Sequence, residues 1–289
     1  MPTLEELRLF AKYHLIRRVV DHPAPETALG VVSLGYDADA YAETLRGYAD
    51  RFEVAAVREI AYQGRAHPIF DIHVAAARPK KKLLVLGGVH GNEQAGLLAI
   101  PELLDAVAEA PPEDVAIRIL TPVNPVGAAH FSRYNADGFD VNRDFVRFET
   151  EEARLVREVA ESWRPDFAIA LHEGPQDATF MITNTLVDEG VVAAALEAMA
   201  AGGTVLATED YFGAKLSTPG YAPMGKLGWL VSAVWGATLS MMATGMWFDG
   251  RGVPEITLES SWRLTSHGAR VRGHVDLVLA VARALSGDK

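Results

Sequence analysis

The stretch KLLVLGGVHGNE, residues 82–93, decides how the chain is read. The run Leu83 to Leu86 has the length of a buried strand and ends at Gly87-Gly88, while Gln94 to Val107 has helical composition. His90 and Glu93 therefore fall on a strand-to-helix turn. A histidine and a glutamate three apart at a helix start can aim at one point in space, and both are ordinary zinc ligands.

Upstream, Leu4 to Val20 reads as a helix and His22 to Pro25 as a Pro-rich turn. Tyr41, Leu45, Tyr48 and Phe52 recur at three to four positions, which predicts an amphipathic helix over Asp37 to Phe52. Val54 to Tyr62 and His67 to Ala75 flank Gln63-Gly64-Arg65 as a β-hairpin feeding the opening strand. Downstream, Pro101 should kink the first helix or end its first half. Strands are expected at Val115 to Leu120, Phe167 to Leu171, Thr204 to Ala207 and Glu255 to Glu259, with helices at Glu149 to Trp163, Glu189 to Ala201 and His274 to Leu285. Residues 121–145 form the longest irregular stretch, and Tyr211 to Lys226 reads as a Gly/Pro-rich loop.

Strands alternating with helices imply an α/β fold: one mixed, mostly parallel twisted sheet with helices on both faces. Neither repeat nor linker interrupts the chain. Residues 1–289 are read as a single domain, with 1–35 as an N-terminal extension packing on it.

The 289 residues are 49% apolar and 22% charged, as in globular proteins. With 27 Lys and Arg against 38 Asp and Glu, the net charge of −11 disfavours nucleic acid and anionic membranes as partners. There is no cysteine, so any metal must be held by histidine and carboxylates. The N-terminal residues lack the order of a signal peptide, and the expected location is cytoplasmic. Gly228 to Phe248 carries no charge, yet its Gly, Ser, Thr and Trp content favours a buried core segment over a membrane span.

In such a sheet, ligands bind beyond the carboxyl ends of the strands. His90 and Glu93, the loop ending at Arg143, His172 and Glu259 all fall there. Alternation sends His172 and Glu173 to opposite sides, and His172 is the one taken to face the cleft. A second imidazole completes a two-histidine, one-carboxylate set with an open position.

HGNE at 90–93, NPVG at 124–127, RYNADGFDVNRDF at 133–145, LHEG at 171–174 and ITLE at 256–259 resemble the zinc carboxypeptidases of peptidase family M14 in order and spacing. The resemblance implies one zinc ion per chain held by His90, Glu93 and His172, with Glu259 as general base toward the attacking water. It implies that Arg133 stabilises the oxyanion and that Asn142 and Arg143 bind the substrate's terminal carboxylate. The expected function is hydrolysis of an amide bond next to a free carboxylate, in a small peptide or an N-acyl amino acid. The remaining histidines, His14, His22, His67, His73, His130, His267 and His274, read as structural. Met241, Met242 and Met246 read as core residues placed where they could also wall a side-chain pocket.

The family's tyrosine about two dozen positions before the catalytic glutamate is missing. That region reads VSAVWGATLSMMATG, and the candidates to replace the tyrosine are Tyr221 and Tyr211. The nearest alternative function is an N-acyl amino acid deacylase like the succinylglutamate desuccinylase and aspartoacylase group, whose HGNE and DxNR motifs are similar. An alternative of another class is a non-catalytic zinc-containing binding protein.

Overall fold

A computed structural model describes residues 11–13, 15–20, 22–25, 30–210 and 213–287. His14, Tyr211 and the start of the expected N-terminal helix lie outside the described residues. Among the described residues, eight strands form one sheet: β1 (Glu53–Tyr62), β2 (Arg65–Val74), β3 (Lys81–Gly87), β4 (Val115–Thr121), β5 (Phe167–Gly174), β6 (Phe180–Thr183), β7 (Tyr221–Pro223) and β8 (Glu255–Ser261). Their order is β1-β2-β4-β3-β5-β8-β6-β7. The central strands β4, β3, β5 and β8 run parallel, and β6 and β7 are parallel to each other. The pairings β1·β2, β2·β4 and β6·β8 are antiparallel.

The helices are α1 (Ala38–Arg46), α2 (Gln94–Glu109), α3 (Pro125–Ala129), α4 (Glu151–Trp163), α5 (Glu189–Ala201), α6 (Lys226–Leu239), α7 (Thr244–Asp249) and α8 (His267–Ser286). Leu83 and Val85 of β3 pack in one core with residues of α1, α2, α5 and α8. Leu84 and Leu86 pack in another with residues of α3, α4 and α7. A strand covered on both faces has no solvent side, which is why its sequence is continuously apolar.

The expected hairpin is present as β1–β2, and it joins the sheet beyond β4, where β2 pairs with β4. Other expectations are not met. Helix α2 does not end at Pro101: Leu97, Ile100, Leu103 and Leu104 are all buried around it, and this packing outweighs the lost backbone bond. Helix α1 stops at Arg46, capped by Gly47, instead of reaching Phe52. Thr204 to Ala207 forms no strand and makes only a bridge from Leu206 to Thr179. Helix α8 starts earlier than expected, at His267, where the Ser266 side chain accepts from the Ala269 amide.

The uncharged segment is the largest correction. Only its second half, from Met241 through α7, is mostly buried; α6 leaves Trp229 43%, Leu230 53% and Val234 48% exposed. Its apolar content goes partly into walling a cavity, which Val231 and Trp235 line. Among the described residues, no helix is long and apolar enough to cross a membrane.

Burial separates two leucines sharply, since Leu84 is fully buried and Leu230 is not. Leu84→Ala is expected to lower the unfolding free energy by about 2–5 kcal/mol, and Leu230→Ala by no more than about 0.5. Urea denaturation measures both, and similar losses at the two sites would contradict the exposure of α6.

Candidate metal centre and its cavity

The turn after β3 is built by close backbone approach. Gly88 has a φ of +71°, and a Cβ on Gly91 would lie 1.9 Å from the carbonyl carbon of Gly127 at α3. The amides of Val123 and Asn124 donate to the carbonyls of Gly87 and Gly88, both at 2.9 Å, fastening this turn to the end of β4. His90 and Glu93 emerge from it, buried, just ahead of α2. His172 comes from the end of β5, which pairs with β3 in parallel.

The structure brings these three side chains together. Their potential ligand atoms lie within 4.8 Å of one another. His90 Nδ1 is 2.7 Å from Glu93 Oε1, His172 Nδ1 is 2.7 Å from Glu93 Oε2, and the two Nδ1 atoms are 3.1 Å apart. Burial pushes the Glu93 carboxyl up, but the two imidazoles beside it hold it below the usual range. Burial lowers His172, keeping its imidazole in the neutral form that binds metals.

Asp140 is a site residue that the sequence reading missed. Its carboxylate lies 3.0 Å from His90 Nε2 and accepts from Arg133 Nε at 2.9 Å. A carboxylate behind a metal-binding histidine fixes ring orientation and tautomer. Burial opposes the Asp140 charge, yet Arg133 and His90 hold the group well below its ordinary value. Arg133 also reaches Glu93 Oε1 at 3.3 Å and stacks over the Tyr13 ring at 4.8 Å. Asp144 accepts from Arg17 and the Thr150 amide. The signal for Asp140 was its place two residues before Asn142 in DVNR, where a short spacing returns it toward His90.

Glu173 turns to the other side of β5, as alternation requires. There it accepts from Arg270 Nε and Nη2, both at 2.7 Å, from Ser260 Oγ at 3.2 Å and from the Ala95 amide at 2.9 Å. Its own backbone amide donates to Glu93 Oε2 at 3.2 Å.

Glu259 stands beside His172 in the β5·β8 register. Its carboxylate faces a cavity of about 1150 Å³ shared with His90, Glu93, Arg133, Asn142 and Arg143. Burial raises Glu259 well above the ordinary carboxyl value, and the nearby Glu93 charge adds to this. Asn142 Oδ1 accepts from the Thr244 amide at 3.0 Å, and Arg143 Nη1 donates to the Asn142 carbonyl at 3.0 Å. The loop carrying both residues is thereby tied to the start of α7.

Met246 lines the cavity, whereas Met241 is buried and Met242 packs against the core around α4. Tyr221 does not line it, and its hydroxyl lies 3.4 Å from Thr183 Oγ1. The described tyrosine that does reach the cavity is Tyr13, from the N-terminal segment. His67 and His130 lie 6.4 Å apart by ring centroid, His274 Nε2 is 2.9 Å from Ser260 Oγ, His73 contacts Asp71 and His267 contacts Glu102. None of these five lines the cavity.

Two imidazoles and one carboxylate, converging beside a cavity with one imidazole braced by Asp140, form a donor set that fits a divalent cation with an open coordination position.

Comparison with known proteins places this geometry. Residues 51–171 match a family described as a protein of unknown function, DUF2817, a span that holds His90, Glu93, Arg133, Asn142 and Arg143 but ends before His172 and Glu259. The carboxypeptidase 2 of Trichophyton rubrum is 28% identical over 203 residues, covering 57% of this chain and 38% of that protein. A probable carboxypeptidase 2 of Arthroderma benhamiae is 33% identical over 133 residues, covering 39% of this chain and 25% of that protein. The chain thus spans well under half the length of these relatives. A crystal structure of a metallopeptidase candidate from Shewanella denitrificans superposes with a TM-score of 0.66 at 19% identity, covering 88% of this chain and 92% of that one. The metallo-carboxypeptidase of Pseudomonas aeruginosa, solved with (2-guanidinoethylmercapto)succinic acid, gives 0.61 at 18% identity, covering 88% and 70%. The likeness read from the motifs recurs in the curated relatives and in the solved structures, and the chain has the fold of the metallocarboxypeptidases.

Proposed function

We propose that the chain is a zinc-dependent hydrolase of carboxypeptidase type, cutting an amide bond next to a free carboxylate. The observation that carries this reading is the convergence of His90, Glu93 and His172 within 4.8 Å, at the wall of a cavity that Glu259 also faces. His90, Glu93 and His172 would hold the zinc, which when bound supplies a Lewis acid for the carbonyl and lowers the pKa of water.

The chain's own groups supply the rest. Glu259 takes a proton from the attacking water and delivers it to the leaving nitrogen. Its burial raises the proton affinity, and the charge of a bound cation would act in the opposite direction. Arg133 is held charged: burial opposes its charge, but Asp140 and Glu93 raise its pKa above the ordinary value. A fixed guanidinium at this point suits stabilisation of the developing oxyanion. Asn142 and Arg143 receive the substrate's carboxylate, for which a guanidinium fork is well shaped.

A cavity of about 1150 Å³ favours a peptide over a single N-acyl amino acid, since it exceeds what a small ligand needs. The carboxylate of Glu259 in the cavity favours catalysis over simple metal binding, because a binding protein gains nothing from a buried acid there.

Three outcomes test this reading. Protein loaded with zinc should bind about one ion per chain, and Asp140→Asn should weaken zinc affinity about 10–100-fold in chelator competition; undiminished affinity would remove Asp140 from the centre. Glu259→Gln should cut kcat on a peptide substrate at least about 100-fold while zinc content is kept, and an unchanged rate would end its role as base. Arg143→Ala should raise KM for peptides with a free terminal carboxylate more than for amidated ones, and equal effects would contradict its assignment.

A further inference from the structure

Strand β8 turns Glu255, Thr257 and Glu259 to the cavity and packs Ile256 and Leu258 in the core. At about 3.3 Å per residue, Glu255 lies roughly 13 Å along the strand from Glu259. The mechanism above makes no use of it. Its surroundings differ from those of Glu93, Glu173, Asp177 and Glu259, which also line the cavity. Glu93 lies against two imidazoles, Glu173 is paired with Arg270, Asp177 with Arg263, and Glu259 feels Arg133 and Arg143. Glu255 is buried at 1% exposure, and among the described residues no cation forms an ion pair with it. It receives hydroxyls: Thr244 Oγ1 at 3.2 Å and Thr257 Oγ1 at 3.0 Å, both donating to Oε1.

Hydroxyls aimed at a carboxylate favour its anion, while burial without a counter-charge opposes that anion. Here burial dominates and pushes Glu255 up to about 8, with the two hydroxyls pulling the other way. The site has the donors of an anion site and lacks the matching cation.

Its position says where that cation comes from. Asn142, proposed to receive the substrate's carboxylate, accepts from the Thr244 amide, and the Thr244 hydroxyl donates to Glu255. One residue therefore touches both groups. Glycine at 245 leaves the approach to Oε2 clear, since a Cβ there would come within 2.9 Å of it. Ala243 and Met246 give the same cavity apolar surface along which the methylene stem of a long side chain can lie.

We propose that Glu255 is the specificity-determining residue of the pocket for the substrate's C-terminal side chain, selecting a basic residue, lysine or arginine, by pairing with its cationic head. This rests on the hydrolytic reading above. The terminal carboxylate is held at Asn142 and Arg143, the side chain passes Gly245, and its ammonium or guanidinium meets Glu255 with the two threonine hydroxyls completing the carboxylate's partners.

The test compares peptides identical except for a C-terminal lysine, norleucine, arginine or citrulline, assayed on the zinc-loaded protein. The expected kcat/KM favours lysine over norleucine and arginine over citrulline by at least about tenfold, and Glu255→Gln should reduce each ratio by about tenfold or more. Gly245→Ala, which crowds Oε2 without removing the acid, should reduce the same ratios and serves if Glu255→Gln does not fold. A wild-type ratio near one, or ratios unchanged in the variants, overturns the proposal. If no peptide is cleaved, the hydrolytic reading fails separately, and calorimetric titration with free L-arginine and L-citrulline decides this one. Arginine should then bind at least about tenfold tighter to the wild type and lose that advantage in Glu255→Gln, whereas equal binding to the wild type overturns the assignment.

Discussion

Glu93 lies between two imidazole nitrogens, 2.7 Å from each, and those nitrogens are only 3.1 Å apart. This buried contact constrains everything around it. Two Nδ1 atoms at that separation cannot both carry protons without repulsion, so the cluster is suited to a shared positive charge between its three donors. The neighbouring groups hold it from separate elements. Asp140 grips the far nitrogen of His90, Arg133 bridges Asp140 and Glu93, and the Glu173 amide donates to Glu93. Each contact fixes a ring or carboxylate that would otherwise rotate, and fixed donors lose less entropy when a metal binds.

The same strand end uses its two faces for different purposes. His172 enters the cluster, while its neighbour Glu173 goes into a fully buried pair with Arg270 of α8. Such a pair stabilises little on net, but leaving either partner alone costs about 3–5 kcal/mol. Its consequence here is positional. The Glu173 carboxylate holds Arg270, the α2 amide of Ala95 and Ser260 of β8, so the β5 terminus that presents His172 is tied to three other elements.

The parallel core was legible because buried strands declare themselves by continuous apolar runs, as in LLVL at 83–86, and the convergence of His90, Glu93 and His172 was legible because they stand directly after such runs. Asp140 was not, because its role depends on a loop returning to His90, and loop paths are not encoded in periodicity. Pro101 misled for a related reason: local propensity argues for a break, whereas the buried residues on either side of it decide in favour of the helix. The segment 228–248 misled because apolar composition does not say whether a residue walls a core or a cavity. Its second half is mostly buried, whereas its first half is largely exposed and walls the cavity only through residues such as Val231 and Trp235. Glu255 was placed on a strand by its sequence but not in a pocket, since its significance comes from the absence of a paired cation, which only packing reveals.

A net charge of −11 says nothing about where charge is needed, and the cavity resolves that sum into separate parts. Arg133 and Arg143 act on Glu259, which stands beside His172, and Glu255 lies further along the same strand. A substrate carrying an anion and a cation on one terminal residue meets complementary charge only when its carboxylate points to the arginines and its side chain to Glu255. Reversing it would set like charges together in a low-dielectric site, where the penalty is several times that in water. On the proposed reading, the amide that precedes the terminal residue would then face Glu259 and the three donors, so the charges that choose the substrate would also aim the bond to be cut.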